Sequence, residues 1–248
     1  MSEQRPPEEP TLERVGDQFV VRQAIDNMGW ADMGGFTLVV DALEQSELAD
    51  EVMQAIHDTL PDQPVKCVLN THTHYDHVAL NPAFESQFGA DIVNRRTHNV
   101  PEDGLSYRGE RRHCQFIPMP DCHTSTDAVV WFPTERVLFA GDLFGWGLIP
   151  YESSLTPAAE ARVEEVYERL IAFDAKVVVP GHGPLASNAE LARWREYFDW
   201  LREQVEDCVG RGLTEAEIID TVTAPQDMRD WWRFYEWKHK DSLKKVMA

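Results

Sequence analysis

The stretch Asn70-Thr71-His72-Thr73-His74-Tyr75-Asp76-His77 places four side chains that commonly bind metal ions within six residues. The preceding residues, 64–69, are mostly apolar with β-branched valines, which predicts a buried strand. The cluster therefore begins where a strand ends, which is where α/β folds usually carry their chemistry. If the backbone stays extended, His72 and His74 project to the same side. Asp76 and His77 follow where the chain must turn, and they suit a second metal beside the first.

A single histidine is more often a surface or core residue than a ligand. Three histidines and one aspartate within six positions are different, because clustered imidazoles repel one another once they are protonated. The spacing therefore favours a metal site over a structural role.

Hydrophobic patterning predicts further elements along the chain. Predicted strands cover residues 19–21, 36–41, 64–69, 91–94, 128–132, 137–140 and 176–179. Helices are expected from Ser46 to about Leu60, from Asn81 to Gly89, and after Thr156, with caps at Ser46, Asn81 and Thr156. Residues 25–35 are rich in turn formers, and residues 95–112 predict a loop with little regular structure.

Three later positions also follow strands and could bind metal. His123 precedes Thr124, Asp142 follows Gly141, and His182 lies in the sequence Pro-Gly-His-Gly. Taken singly, an aspartate after a strand and a glycine, such as Asp142, is more often a turn residue than a metal ligand, and His123 is no stronger a candidate. His182 is a better one, because the glycines on either side make its backbone flexible and leave room for a ligand beside it. His98 and His113 stand alone and are predicted not to be ligands.

The motif His-x-His-x-Asp-His resembles the signature of the metallo-β-lactamase-fold hydrolases. The three later positions match the remaining ligands of that family in the right order. By this resemblance the first metal is held by His72, His74 and His123, the second by Asp76, His77 and His182, and Asp142 bridges both.

The resemblance implies an α/β fold, the αββα four-layer sandwich of two mixed β-sheets with outer helices, plus a helical C-terminal extension. The sandwich is expected over residues 15–186 and the extension over residues 187–248. The extension is predicted to be helical throughout, with a last helix from about Asp227 to Met247. Residues 1–14 lack an apolar core and are expected to form a disordered N-terminal arm.

The ligand set that the resemblance implies is that of a dinuclear metal-dependent hydrolase, in which a metal-bound hydroxide attacks a carbonyl of a lactone, thioester or related ester. Asp76 is the candidate catalytic residue, placed to orient the nucleophile or carry a proton. Zinc is the expected ion. Asp142 stands where β-lactamases of the family commonly have cysteine, so the site resembles that of lactonases and glyoxalase II and could also accept Fe or Mn.

Other functions on this fold remain open. A β-lactam hydrolase is one, and an iron-dependent persulfide dioxygenase is another, although the latter normally uses one metal. An oxygen-reducing flavodiiron protein would need a flavin domain, and a catalytically inactive relative would tend to lose ligands.

Composition limits the partners. The formal net charge is −20, from 43 acidic and 23 basic residues, which disfavours nucleic acid and anionic membranes. There is no run of eighteen apolar residues and no signal-peptide pattern, so a cytoplasmic protein is expected. The four cysteines form no Cys-x-x-Cys pair and are expected to be reduced.

The expected partner is a small-molecule substrate. Aromatic residues of the loop 144–149 are candidates to line an apolar pocket, and the helical tail could cover its mouth, as in glyoxalase II. Tyr75, Tyr107 and Tyr151 are candidate oxyanion donors, and none is assigned. The tryptophans after residue 187 are assigned to core packing or to an interface in a homo-oligomer, and Cys122, in place of a glycine, to a bystander role.

Overall fold

A computed structural model describes residues 9–61, 63–150 and 155–248. Eleven strands form two sheets in these residues. The first sheet contains β1 (Thr11–Gly16), β2 (Phe19–Gln23), β3 (Met28–Asp32), β4 (Thr37–Val40), β5 (Val65–Leu69) and β6 (Asp91–Val93), in that spatial order. The second contains β7 (Leu105–Arg108), β8 (His113–Pro118), β9 (Ala128–Phe132), β10 (Val137–Gly141) and β11 (Val177–Pro180), in the order β11-β10-β9-β8-β7.

Both sheets are mixed. In the first, β1 to β4 are antiparallel, and β4, β5 and β6 are parallel. In the second, β11 is parallel to β10 and the other pairs are antiparallel. Parallel strands need a crossover, and the chain supplies helices for it. The helices are α1 (Ala49–Thr59), α2 (Asn81–Phe88), α3 (Pro157–Ala172), α4 (Asn188–Gly210), α5 (Glu215–Thr221) and α6 (His239–Met247).

Three buried apolar clusters separate four layers. One lies between the sheets and includes Phe19, Leu38 and Phe139. A second packs the first sheet against α1 and α2. The third packs the second sheet against α3, α4 and the C-terminal segment, with Trp194 fully buried in it. The predicted αββα sandwich with a helical C-terminal extension is confirmed.

Local signals set several helix ends, and those at Thr156 and Gly89 were predicted. The Thr156 side chain accepts a hydrogen bond from the Ala159 N–H and caps α3. Ser187 and Glu190 form a capping box at the start of α4. Gly89 ends α2 in the left-handed region, with φ of 64°.

Other predicted boundaries are wrong. The residues 25–35 predicted to turn contain β3, whose five residues are all buried. Gly29 serves packing there, because a Cβ atom would lie 2.5 Å from the Phe139 ring. The predicted loop 95–112 contains β7, and β8 was not predicted. β7 is an edge strand of the second sheet, and its residues alternate between half-buried and exposed, so it lacks a continuous apolar run.

The termini of elements also differ from the prediction. The predicted N-terminal arm reached residue 14, whereas β1 begins at Thr11; residues 1–8 lie outside the described residues. This edge strand is mostly exposed, so its composition resembles that of a coil. Ser46 begins a 3₁₀ turn and does not cap α1, and Asn81 is the first residue of α2.

The last predicted helix, from about Asp227 to Met247, is interrupted. A 3₁₀ turn at Gln226–Met228 and a single π-helical turn at Phe234–Lys238 precede α6. Arg233 precedes the π turn with φ of 55°, a conformation that bulky residues rarely adopt. The break redirects the tail across the loop that follows β10.

Candidate metal centre

The seven predicted ligands lie on four segments, each of which follows a strand. His72 and His74 follow β5, and Asp76 and His77 lie in the 3₁₀ turn that comes next, at Tyr75–His77. The other three follow β8, β10 and β11; they are His123, Asp142 and His182. The structure brings all seven together in two groups that share one residue.

The first group consists of His72, His74, His123 and Asp142, whose candidate ligand atoms all lie within 4.8 Å of one another. His123 Nε2 lies 3.4 Å from Asp142 Oδ2, and His72 Nε2 lies 3.9 Å from the same oxygen. The His123 Nε2 and His74 Nδ1 atoms are 3.1 Å apart. Three imidazole nitrogens and one carboxylate oxygen therefore face a common point.

The second group consists of Asp76, His77, Asp142 and His182, again with ligand atoms within 4.8 Å. Here the facing atom is the other carboxylate oxygen: Asp142 Oδ1 lies 3.4 Å from His77 Nε2 and 3.5 Å from His182 Nε2. Asp76 Oδ2 lies 3.1 Å from His182 Nε2. The two oxygens of Asp142 thus face different groups, and Asp142 is the residue that the two groups share.

The donors fit divalent metal ions by their hydrogen-bonding state as well as by their positions. His72 Nε2, His77 Nε2 and Asp142 Oδ1 are buried and have no hydrogen-bond partner within the described part of the chain. A buried polar atom without a partner costs about 1–3 kcal/mol. Imidazole nitrogens and carboxylate oxygens are zinc ligands; an ion in the first group would satisfy His72 Nε2, and one in the second would satisfy the other two atoms.

Charges in the centre are strongly coupled. Burial, reinforced by His77, lowers the pKa of His72 to about 2, which keeps this imidazole in the neutral form that binds metal. Burial alone would raise the pKa of Asp142, but His77 and His182 hold it well below its usual range. Burial would also lower the pKa of His182, yet Asp142 outweighs it and raises that pKa to about 10. Ion binding would therefore displace protons from the imidazoles that now balance the carboxylates.

Asp41 orients the second group. Its side chain accepts hydrogen bonds from the Thr71 N–H at 2.7 Å and from the Thr71 hydroxyl. The same carboxylate lies 3.1 Å from His77 Nδ1. A carboxylate behind a ligating histidine fixes the ring and raises its basicity. Sequence patterns predicted Asp41 only as the end of a strand, so its role was missed.

Asp127 does the same for the first group by shaping the loop that carries His123. It accepts hydrogen bonds from the backbone N–H groups of Cys122, His123 and Thr124. His182 is held by its Nδ1 atom, which lies 3.1 Å from the Ile25 carbonyl oxygen.

Gly181 is required by the close packing of the centre. A Cβ atom at this position would lie 2.0 Å from Asp142 Oδ1 and 2.8 Å from His77 Cε1. The backbone of the loop after β11 therefore passes directly behind the shared carboxylate, and only a glycine leaves room for it.

A cavity of about 380 Å³ opens onto the centre. Its floor includes His123, Asp142 and His182, and its lining is mostly apolar. The loop 144–149 supplies one wall, including Phe144 and Leu148. The C-terminal segment, which packs on this loop, supplies the rest of the wall with Trp232, Arg233, Trp237, Lys238 and Lys245.

Other candidates from the sequence fall outside the ligand groups. Of the tyrosines considered, Tyr75 is 72% exposed, Tyr107 packs between the sheets, and Tyr151 lies outside the described residues. Burial raises the pKa of the Cys122 thiol to about 12, so it stays protonated, and it donates to the Pro150 carbonyl. His98 pairs with Asp91 at 3.4 Å, away from the centre.

The tryptophans after residue 187 divide into two sets. Trp194 lies in the core, where its ring stacks on Tyr167. Trp232 and Trp237 face the cavity. Core packing therefore holds for Trp194, and Trp232 combines a place in the same buried cluster with a position on the cavity wall. None of the helices in the described ranges is both long and apolar enough to cross a membrane.

Comparison with known proteins identifies related sequences and folds. The model of the metallo-beta-lactamase superfamily matches residues 27–113 and 96–182. A hydroxyacylglutathione hydrolase from Methylococcus capsulatus is 31% identical over 150 residues, which are 56% of this chain and 57% of that protein. The chain thus spans less than two thirds of this relative's length.

Solved structures show the same fold at low sequence identity. A metallo-beta-lactamase from Pontibacter korlensis superposes with a TM-score of 0.61 at 19% identity, covering 76% of this chain and 98% of that one. A stereoselective inverting sec-alkylsulfatase from a Pseudomonas species superposes with a TM-score of 0.71 at 14% identity, covering 96% of this chain and 49% of that one. The second comparison extends the common architecture into the C-terminal helices.

Proposed function

Because the chain belongs to the metallo-beta-lactamase superfamily, we propose that it is a dinuclear metal-dependent hydrolase acting on a lactone, thioester or related ester. The observation that carries the proposal is the orientation of Asp142, whose two carboxylate oxygens face two separate groups of ligands. Zinc is the proposed ion because both groups combine imidazole nitrogen with carboxylate oxygen, and Fe or Mn would suit the same donors.

Divalent ions at this place supply Lewis acidity and lower the pKa of a coordinated water to about 7. The chain's own residues position the reacting groups. Asp76 is proposed to orient the attacking water and to accept its proton, since its carboxylate reaches into the second group at 3.1 Å from His182. Burial would raise the pKa of Asp76, but His182 and His77 lower it to about 2, so the carboxylate is ionised at neutral pH.

The apolar cavity binds the substrate next to this centre and excludes bulk water. Its walls hold the apolar part of the substrate, while the polar atoms at its floor define where the scissile carbonyl lies. The hydroxyacylglutathione hydrolases among the relatives support a thioester as one member of the substrate class.

Two features weigh against the alternatives. A persulfide dioxygenase normally needs one metal, whereas Asp76, His77 and His182 form a complete second group with Asp142. The β-lactamases of the superfamily commonly carry cysteine where this chain has Asp142. Both alternatives remain outcomes of the test.

The test combines metal content with a panel of reactions. Protein expressed with excess zinc is expected to contain close to two ions per chain and to hydrolyse at least one lactone or thioester. β-Lactams and glutathione persulfide, the latter with an oxygen electrode, are assayed at the same metal loading. Saturation at one ion, or oxygen consumption without hydrolysis of any carbonyl compound, would overturn the proposal.

A further inference from the structure

The cavity wall formed by the C-terminal segment contains a lysine in an unusual setting. Lys238 is 2% exposed, and its Nζ atom donates one hydrogen bond, of 2.7 Å, to the Gly145 carbonyl oxygen. The amine also lies 4.1 Å from the centroid of the Trp232 ring and 5.9 Å from that of Trp237. Within the described ranges no carboxylate forms an ion pair with it.

The neighbouring cations of the same wall are paired. Lys245 lies 3.0 Å from Asp241, and Arg233 lies 3.3 Å from Glu236. Lys238 therefore differs from both in having no carboxylate partner among the described residues, since its amine contacts the Gly145 carbonyl and the face of the Trp232 ring. An ammonium group removed from water without an acidic partner is costly, so its place in a ligand cavity needs a reason.

A structural role explains only part of this arrangement. Three side chains of the tail donate hydrogen bonds to alternate carbonyls of the pocket loop: Lys238 to Gly145, Ser242 to Gly147 at 3.0 Å, and Lys245 to Ile149 at 3.1 Å. A neutral donor performs this task at Ser242. The positive charge at Lys238 is not required for holding the loop.

We infer that Lys238 selects substrates that carry an anionic group on the part lying along the tryptophan wall, away from the bond that is hydrolysed. The ammonium would donate charge-assisted hydrogen bonds to a carboxylate or a sulfonate-like group, while the apolar walls hold the chain between that group and the metal centre. This assignment rests on the proposed function and narrows its substrate class to anionic esters or thioesters.

Charge in the surroundings is consistent with this role. Burial, and next the nearby Arg233, lower the pKa of Lys238 to about 7, while Asp142 acts in the opposite direction. A bound anion would favour the charged ammonium. The site is thus suited to a ligand that brings its own negative charge into a poorly solvated wall.

The test compares two ester substrates of equal length. One is a 4-nitrophenyl monoester of glutaric acid, which carries a free carboxylate, and the other is 4-nitrophenyl valerate, which is neutral. The holoenzyme is expected to prefer the anionic ester in kcat/KM. In Lys238→Gln, whose amide can still donate to Gly145, this preference should fall about tenfold to a hundredfold, mainly through KM.

Ser242→Ala is the matched control. It removes a neighbouring bond between tail and loop but leaves the charge, so the preference should persist. If Lys238→Gln leaves the preference intact, or if Ser242→Ala lowers it equally, the inference is wrong and the proposed function still stands.

A binding measurement separates failure of the inference from failure of the proposed function. Hexanesulfonate and hexanoate are titrated into the metal-loaded holoenzyme, and tryptophan fluorescence reports binding near Trp232. Any affinity for the metal ions is common to the variants, so the difference between wild type and Lys238→Gln isolates the ammonium. About tenfold weaker binding of both anions to the variant is expected, and equal binding would refute the role of Lys238 even if no ester were hydrolysed.

Discussion

Replacing Gly181 by alanine should remove the second ion while leaving the fold intact. The added Cβ would lie 2.0 Å from Asp142 Oδ1, the oxygen that faces the second group. An ordinary contact needs about 3.5 Å, so the carboxylate must move by more than about 1 Å. Metal sites tolerate shifts of only about 0.2 Å in ligand distance. The carboxylate is anchored on β10, and His77 also lies 2.8 Å from the new atom, so a compensating shift would disturb both.

Loss of an orienting contact in metal sites typically weakens binding about 10–100-fold, and displacing a ligand itself should weaken it by at least about 100-fold. The assay is a chelator competition that follows both ions, with the unfolding temperature measured in parallel. Gly210→Ala is the control, because nothing lies within 4 Å of a Cβ there, and it should keep both ions. If Gly181→Ala binds two ions with wild-type affinity, the shared role of Asp142 is refuted.

Three further substitutions test separate parts of the centre and its pocket. Asp142→Ala should lower the content of both ions and the turnover more than alanine at any single histidine ligand, because one side chain serves both groups. A normal rate in this variant would contradict the assignment. His98→Ala is the control and should retain both ions. Asp41→Asn keeps a residue type that tolerates the φ of 58° at this position, but it removes the charge behind His77. Chelator competition should therefore show the second ion bound about 10–100-fold more weakly and the first ion bound as in the wild type. Lys238→Met should stabilise the protein most at or below pH 7. The folded pKa of Lys238, about 7, lies below the unfolded value of 10.5, so the stability of the wild type rises with pH between these two values. A difference in unfolding temperature between variant and wild type that did not shrink from pH 7 to pH 9 would contradict the buried ammonium.

Local sequence signals were sufficient where the chemistry is concentrated in a few residues. The spacing of His72, His74, Asp76 and His77 after an apolar run marked both the strand and the ligands. Strands buried on both faces, such as β9 and β10, carry continuous apolar runs and were predicted for that reason. His123, His182 and Asp142 could be identified as ligands only through the resemblance to a known family, because no single one of these positions shows that its segment lies close to the others.

The features that were missed depend on tertiary contacts. Half-exposed edge strands such as β1 and β7 lack an apolar pattern, and β3 was hidden because Gly29 accommodates a ring from the opposite sheet. Asp41 acquires its role only when His77 is placed against it. Lys238 follows a tryptophan in a tail that resembled a plain helix, and only the break at Arg233 turns it toward the cavity.

The charge distribution shows how an acidic chain can accommodate an anionic ligand. The formal net charge of −20 acts over the surface, where salt at physiological ionic strength screens interactions beyond about 8 Å. Within the cavity the balance is reversed, since the walls expose few polar atoms, Lys238 has no acidic partner among the described residues, and two divalent ions would add positive charge at the floor. Interactions in a poorly solvated cavity are screened much less than those on the surface. The surface charge therefore governs how often an anion approaches, whereas the residues of the cavity govern whether it stays.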